Sequence, residues 1–540
     1  MLLTEPELIR KRWKEYIEEL YDKNGKPREN EFDFENEIDV AVDSKGPGIL
    51  EDEIETAIRQ MKDKKAEGID EIPAELLKKL DGNAKKELIK ICQEMYERGE
   101  WPDDFTKSII VTMEKKPNAT DCVDHRTLSL IPHASKIMLK VLTKRLEAKA
   151  SYLIGKTQFG FRRGCGTREA IGIMRMLYER CLEHDMDVYV CFVDFEKAFD
   201  RVNWKKLMEI LKKIGVDWKD RRLIKNLYLN QEAIVRVASG MSEPAEIGRG
   251  VRQGCLLSPL LFSIYAEMMM IEAMGEAEEG IRVGGALLKD VRFADDQAMV
   301  ASSEAGLQRL LDLLVERGKQ YDMKINVKKT KVMRISRKAG QVVNIVVDGQ
   351  AVEQVTKFRY LGVLITEDGR CTAEIKARIA MAKDAFNKRR ELLTQRMGRK
   401  LKKKIIKAVV WSVALYGSET WTIRKEELDR LQAFEMWIWR RMERISWKDK
   451  ITNVQVLKQV EEERQLLNVI KRRKAVWFGH ILRGNGLLID VIEGRIEGKR
   501  PRGRIRTMML DDLKNDFKDG FYCEMKRFAQ DRLNWKTFYA

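Results

Sequence analysis

Cysteine and histidine are scarce, eight and four in 540 residues. The cysteines are scattered singly, with no CxxC and no Cys/His cluster, so neither a zinc knuckle nor a disulfide framework is indicated. Long apolar runs are also missing. The two longest, CLLSPLLFSIYAEMMMI (255–271) and AVVWSVALYG (408–417), are interrupted by Ser, Pro and Glu or are too short to span a bilayer. The opening MLLTEPELIRKRW lacks the basic start and continuous apolar core of a signal peptide. These absences predict an intracellular protein, in the nucleus, the cytoplasm or both, neither secreted nor membrane-bound. Proline nearly disappears from the second half: nine of ten fall at or before Pro259 and only Pro501 follows. That half is therefore expected to be largely helical.

What remains is a large, basic, globular chain. Apolar residues make up 44%, enough for a sizeable core, and the length allows several domains. Lys and Arg outnumber Asp and Glu by 102 to 85, a net charge of +17 that favours a polyanionic partner, nucleic acid first. The first fifty residues are polar and suggest a short helix and a loose connection; amphipathic periodicity then runs from Leu50 through AELLKKL. No internal repeat or long low-complexity tract is present.

Six residues, RFADDQ (292–297), set two aspartates side by side between apolar segments of strand length. This pattern predicts a tight β-hairpin presenting both carboxylates at one end of a sheet. Two buried like charges cost several kcal/mol unless a cation compensates, and a divalent metal does so directly. DVYVCFVDF (187–195) alternates as a strand, with Val188, Val190, Phe192 and Asp194 on one face. In the next helix Trp204, Leu207, Leu211 and Ile214 form a stripe closed by Gly215. Another begins at SPLLFSIYAEMM, with Ser258 as N-cap and Pro259 at the first helical position. After the hairpin come a helix with Leu307, Leu310, Leu311 and Leu314 on one side and the strand-like INVKKTKVMRI. The order strand, helices, strand, strand, helix, strand is a split βαβ arrangement, which makes Asp194 a neighbour of Asp295 and Asp296. Three converging carboxylates suit a two-metal site for phosphoryl transfer, with ions about 3.5–4 Å apart.

VDFEKAFDRV, GVRQGCLLSPLLFSIYAE, RFADD, INVKKTKV and FRYLGVLIT resemble, in order and spacing, the successive palm motifs of non-LTR retrotransposon reverse transcriptases. GIDEIPAELLK, KKPNATDCVDHRTLSLIPHASKIMLKVLTKRL and QFGFRRGCGTREAI are similar to their finger motifs. ALYGSETWTI, AFEMWIWRRMERISW, VWFGHILR and IEGKRPRGRIR resemble the tail of the subfamily called endonuclease-reverse transcriptase or craniofacial development protein 2-like.

The resemblance implies an α+β right-hand polymerase. Its segments would be an N-terminal helical extension (1–60), fingers with part of the palm (61–186), palm (187–370), helical thumb (371–450) and basic helical tail (451–540). Asp194, Asp295 and Asp296 match the catalytic, metal-binding acids, with Mg²⁺ as two ions and Mn²⁺ as substitute. The backbone carbonyl of Phe195 would lie near the metal, and Phe199 would exclude a ribonucleotide 2′-hydroxyl. Gln253 and Gly254 match the nucleotide loop, where a missing side chain lets backbone approach the substrate. Lys115, Lys116 and Arg126 match cations that contact the triphosphate, and Lys329 a lysine that protonates pyrophosphate or orients the triphosphate. Tyr360, Leu361 and Gly362 match the primer-grip hairpin, although Tyr360 and Leu361 suit a core equally well.

The implied reaction adds a dNTP to the 3′-hydroxyl of a DNA primer or target DNA, copying an RNA template. Rival readings are a domesticated or decayed remnant that binds nucleic acid without polymerising, and an RNA-dependent RNA polymerase, which Phe199 disfavours. Thr127 stands where many reverse transcriptases have Pro, and Gln297 where an apolar residue is usual; neither change removes a metal ligand. No nuclease constellation is visible, so endonuclease activity is expected to be supplied elsewhere. RKLKKKIIK (399–407) and GKRPRGRIR (498–506) are expected to meet a phosphate backbone, and deleting 490–540 to weaken binding without abolishing nucleotide addition. Trp411, Trp421, Trp437, Trp439 and Trp477 are expected to pack between helices.

Overall fold

The structure, a computed structural model, describes residues 3–35, 39–238, 240–338, 340–395, 397–503, 505–517 and 521–539. Its contacts divide the chain into two interleaved units. One comprises Met1–Phe161, Phe195–Glu276 and Leu313–Ile325; the other comprises Arg162–Asp194, Ala277–Asp312 and Asn326–Ala540. Among the described residues no helix is long and apolar enough to cross a membrane.

In the first unit Lys107–Glu114 lies between His125–Leu130, antiparallel, and Glu232–Val237, parallel. The N-terminal helix Pro6–Leu20 buries Trp13, Tyr16, Ile17 and Leu20. Helix Ser258–Met274 is buried on nearly every side, as its predominantly apolar sequence requires of a core helix. Its N-cap is Leu257, one residue before the expected Ser258, so no side chain caps it. Helix Trp204–Lys213 buries Trp204, Leu207 and Leu211 as the stripe predicts, and Gly215 follows at φ +73°.

The second unit holds the sheet that the sequence pattern implied, in the order Glu353–Gln354, Lys331–Ile335, Val188–Val193, Asp296–Ala301, Asp290–Phe293. Val188, Val190, Cys191, Phe192 and Val193 are all buried, so this central strand is covered on both faces. INVKKTKVMRI is a strand only over Lys331–Ile335. Before it, Lys329 and Thr330 donate backbone N–H groups to the Asn326 carbonyl, at 3.1 and 2.9 Å, and form a turn. Lys329 therefore stands on a turn, not in a basic strand.

The C-terminal segment departs from the appendage expected of it. It packs against helix Thr167–Glu183 of the same unit. Trp477 Nε1 donates to Glu169 Oε1 at 2.9 Å, and its ring fills the space where a Cβ on Gly172 would fall, 2.4 Å away. Arg180 donates to the carbonyls of Ile492 and, at 2.8 Å, Gly494. Met509 N donates to buried Glu179 at 2.8 Å. Lys474 is fully buried, and its ammonium donates to the carbonyls of Trp421 (2.7 Å) and Met509 (3.1 Å) and to Asp512 (2.7 Å).

Much of the basic charge is used in the same way. Arg500 pairs with Glu183, and Arg506 donates to the carbonyls of Asp368 and Gly369 at 3.0 and 2.9 Å. In the other basic run Lys403 and Lys407 both meet Glu462, at 3.4 and 3.0 Å, and Arg399 meets Glu443 at 3.1 Å. Arg504 lies outside the described residues. Trp411, Trp421, Trp439 and Trp477 are buried and Trp437 partly so, which bears out their role as packing residues.

Candidate active site

The acids of the second unit are placed by two antiparallel pairings. Strand Asp296–Ala301 pairs with Asp290–Phe293 (Asp296 opposite Phe293) and with Val188–Val193 (Gln297 opposite Val193). Continuing the second register by one residue sets Asp296 across from Asp194. Ala294 and Asp295 form the two-residue turn. Only Ala294 has positive φ (+59°), the arrangement of a type II′ turn, whose first central position favours glycine. A buried alanine held there carries strain of about 1–3 kcal/mol, a feature that clusters at functional sites.

Asp194 is fixed through its backbone. Its N–H donates to Thr330 Oγ1 at 3.2 Å, and its carbonyl accepts from Asn326 N at 2.8 Å. Its Oδ2 is buried without a hydrogen bond, and the Lys329 ammonium stands 3.7 Å away. Burial raises the Asp194 carboxyl above its ordinary range, against the pull of Lys329. Asp296 is pushed up to about 6, first by loss of hydration and then by the charges of Asp295 and Asp194. Burial of Asp194, and burial together with its acidic neighbours at Asp296, thus disfavour the ionised form of both carboxyls unless a cation enters.

A carboxylate oxygen buried without a donor, beside two further acids, is the donor set that hard divalent ions prefer. Among the described residues no three such side chains are yet drawn together into a cage. The backbone register sets Asp194 and Asp296 at the same end of neighbouring strands, with Asp295 in the adjoining turn. In the same unit, hairpin Lys357–Tyr360 and Val363–Thr366 turns through Leu361 and Gly362, both at positive φ. Tyr360 is buried, and its hydroxyl donates to the Val291 carbonyl at 3.1 Å. Phe358 stacks on Phe192 at 4.3 Å. The hairpin is therefore moored to the strands that carry the acids, with Leu361 and Gly362 at its tip.

The remaining expected site residues belong to the first unit. Phe195, next in the chain after Asp194, is buried. Phe199 is half-buried, stacked on Phe262 at 4.3 Å with Phe161 edge-on at 6.1 Å. Gln253 donates its side-chain amide to Asp200 at 3.0 Å, and its carbonyl accepts from Ser129 N at 2.7 Å. Gly254 has φ +107°, and a Cβ there would fall 2.8 Å from the Ser129 carbonyl. The missing side chain thus lets the loop approach the neighbouring strand.

Arg126 is exposed on its strand. Lys115 donates to the Val123 carbonyl at 2.8 Å, and Lys116 pairs with Asp124 at 2.7 Å. Sequence reasoning missed Asp200 and Tyr21. Asp200 is buried and accepts from the Tyr21 hydroxyl at 3.1 Å. The available hint was an acid one residue after Phe199, between the apolar Ala198–Phe199 pair and Val202.

Residues 114–365 match the reverse transcriptase (RNA-dependent DNA polymerase) family. The RNA-directed DNA polymerase from mobile element jockey of Drosophila funebris is 26% identical over 323 residues, 58% of this chain and 35% of that protein. The probable RNA-directed DNA polymerase from transposon BS of Drosophila melanogaster is 28% identical over 410 residues, 71% of this chain and 43% of that protein. The chain thus spans well under half the length of these relatives. Among solved structures, apo telomerase from Candida tropicalis aligns with 77% of this chain and 74% of its own at 13% identity, with a TM-score of 0.38. A domain of this family implies dependence on a divalent metal, which the acid trio is chemically suited to hold. The matched domain and the relatives together show a reverse transcriptase domain over residues 114–365, similar to those of the RNA-directed DNA polymerases of mobile elements.

Proposed function

We propose that the chain is an RNA-directed DNA polymerase that adds deoxynucleotides to a primer 3′-hydroxyl on an RNA template. The observation that carries this reading is the register setting Asp194 across from Asp296, beside Asp295, with one buried carboxylate oxygen left without a donor. Asp194, Asp295 and Asp296 would hold two Mg²⁺ ions, or Mn²⁺ in their place. Bound there, the ions would polarise the phosphate and favour ionisation of the primer hydroxyl.

The chain's own groups supply orientation and charge. Lys329, poised on its turn beside Asp194, offers fixed positive charge and a proton for departing pyrophosphate. Arg126, with its exposed guanidinium, and Lys115 and Lys116 supply donors for the triphosphate, Lys116 by exchanging Asp124 for phosphate. The Phe199 ring, held by Phe262, bars a 2′-hydroxyl sterically. Gln253 and Gly254 form the loop beside the nucleotide, and the hairpin tip at Leu361 and Gly362 holds the primer end. Fingers, palm, thumb and tail are assigned to 61–186, 187–370, 371–450 and 451–540. The test is primer extension by purified protein with an RNA template, dNTPs and Mg²⁺: incorporation that EDTA removes supports the reading, and no incorporation at any Mg²⁺ or Mn²⁺ concentration refutes it.

A further inference from the structure

We propose that Asp200 is a positioning residue for nucleotide binding: its carboxylate fixes the Gln253 amide, and Tyr21 at the end of the N-terminal helix fixes the carboxylate. This inference rests on the polymerase reading.

Asp200 is 5% exposed, and one oxygen, Oδ1, accepts from both the Tyr21 hydroxyl at 3.1 Å and Gln253 Nε2 at 3.0 Å. A buried carboxylate is tolerated only with donors or cations about it, and Lys197 and Lys115 add favourable charge. The loop before Gln253 is tied down along its length. Gly248 N and Arg249 N donate to the Tyr21 carbonyl at 2.9 and 3.1 Å. Gly250 N donates to Val202 O at 2.8 Å and Val251 N to Phe199 O at 2.9 Å. The approach is close enough that a Cβ on Gly248 would fall 2.1 Å from the Asp22 carbonyl, and one on Gly250 2.7 Å from the Asp200 carbonyl. The N-terminal helix, the turn carrying Phe199 and the nucleotide loop therefore meet at Asp200.

An ionised carboxylate accepts hydrogen bonds and donates none. It forces the Gln253 amide to turn its NH₂ inward, which directs Oε1 away from Asp200. Gln253 then presents an acceptor, and a hydroxyl on the sugar of the incoming nucleotide is a donor of matching chemistry. Without Asp200 nothing holds the NH₂ inward, and the amide is free to turn it toward the nucleotide in place of Oε1.

The test is a double-mutant cycle in the full chain, measured by single-nucleotide extension of a DNA primer on an RNA template. Asp200→Ala and Gln253→Ala should each raise KM for the dNTP by up to about tenfold, as loss of the hydrogen bond between the amide oxygen and the sugar hydroxyl predicts. Template–primer affinity should stay close to that of the unaltered chain. Combining the two should give no more than either alone, because the acid acts through the amide. Asp200→Asn, which keeps an acceptor at Oδ1, should return KM to within about threefold of the original. Should Asp200→Ala melt at a lower temperature, Tyr21→Phe serves instead and should raise KM only when Gln253 is present. Multiplicative effects, or an unchanged KM in Asp200→Ala, overturn the inference while leaving polymerase activity standing. Absence of extension by the unaltered chain overturns the polymerase reading, and this inference with it.

Discussion

Replacing Trp535 by alanine tests whether the C-terminal segment is part of the fold or an electrostatic appendage. The indole is 2% exposed; its Nε1 donates to the Ala475 carbonyl at 2.8 Å, and its ring lies where a Cβ on Gly479 would fall, 2.3 Å away. Phe517, Phe528 and Tyr539 surround it, with ring centroids at 6.2, 6.2 and 5.0 Å. Removing a buried Trp of this kind costs about 3–5 kcal/mol. Truncation at 490 costs more. It strips Met509, Leu510, Leu513, Met525 and Trp535 from the core and leaves the Lys474 ammonium with only the Trp421 carbonyl of its three acceptors. Leaving a buried charge short of partners costs about 3–5 kcal/mol alone, against a total stability of about 5–15 kcal/mol for a typical domain. Urea denaturation followed by Trp fluorescence should show a lower midpoint for Trp535→Ala and a non-cooperative transition in the second unit of the truncated chain. Both variants unfolding at the parent midpoint would refute this reasoning and restore the appendage view.

Two further outcomes follow from the first unit. Phe199→Ala should raise ribonucleotide use relative to deoxynucleotide, measured as a ratio of kcat/KM values; an equal loss toward both sugars would mean that the ring only packs on Phe262. Asp200 has a carboxyl raised from 3.8 to about 6, chiefly by burial, against the Tyr21 and Gln253 hydrogen bonds. The folded chain therefore holds a proton that the unfolded chain releases earlier. This contribution is fully present below about pH 4 and lost as pH rises to about 6, some 3 kcal/mol in all. Asp200→Asn should lack that dependence, so its stability relative to the parent should rise across pH 4–6 in urea titrations; parallel curves would contradict the assignment.

The acid sheet was legible because its information is local. Alternation in DVYVCFVDF, adjacency of Asp295 and Asp296, and the Leu307, Leu310, Leu311, Leu314 stripe each fix an element, and the order of elements fixes their neighbours. What escaped is set by partners distant in the chain. Tyr21 lies 179 residues from Asp200, and nothing near either names the other. Arg500 and Arg506 read as phosphate ligands because Glu183 and the Asp368 and Gly369 carbonyls that engage them lie more than a hundred residues upstream. Gly254 was expected to let backbone approach the substrate, whereas the Ser129 carbonyl that its loop approaches belongs to a strand unrecognisable as its neighbour from sequence. The turn holding Lys329 was within reach, since Asn326 accepts from the N–H groups three and four residues on, a local pattern masked by the β-like spacing of INVKKTKVMRI.

The most direct measurement is extension of a DNA primer on an RNA template by purified parent and Asp295→Ala chains, with template–primer binding measured in parallel. The account predicts metal-dependent incorporation by the parent, and loss of incorporation in Asp295→Ala with binding largely retained. Equal incorporation by the two chains would contradict it.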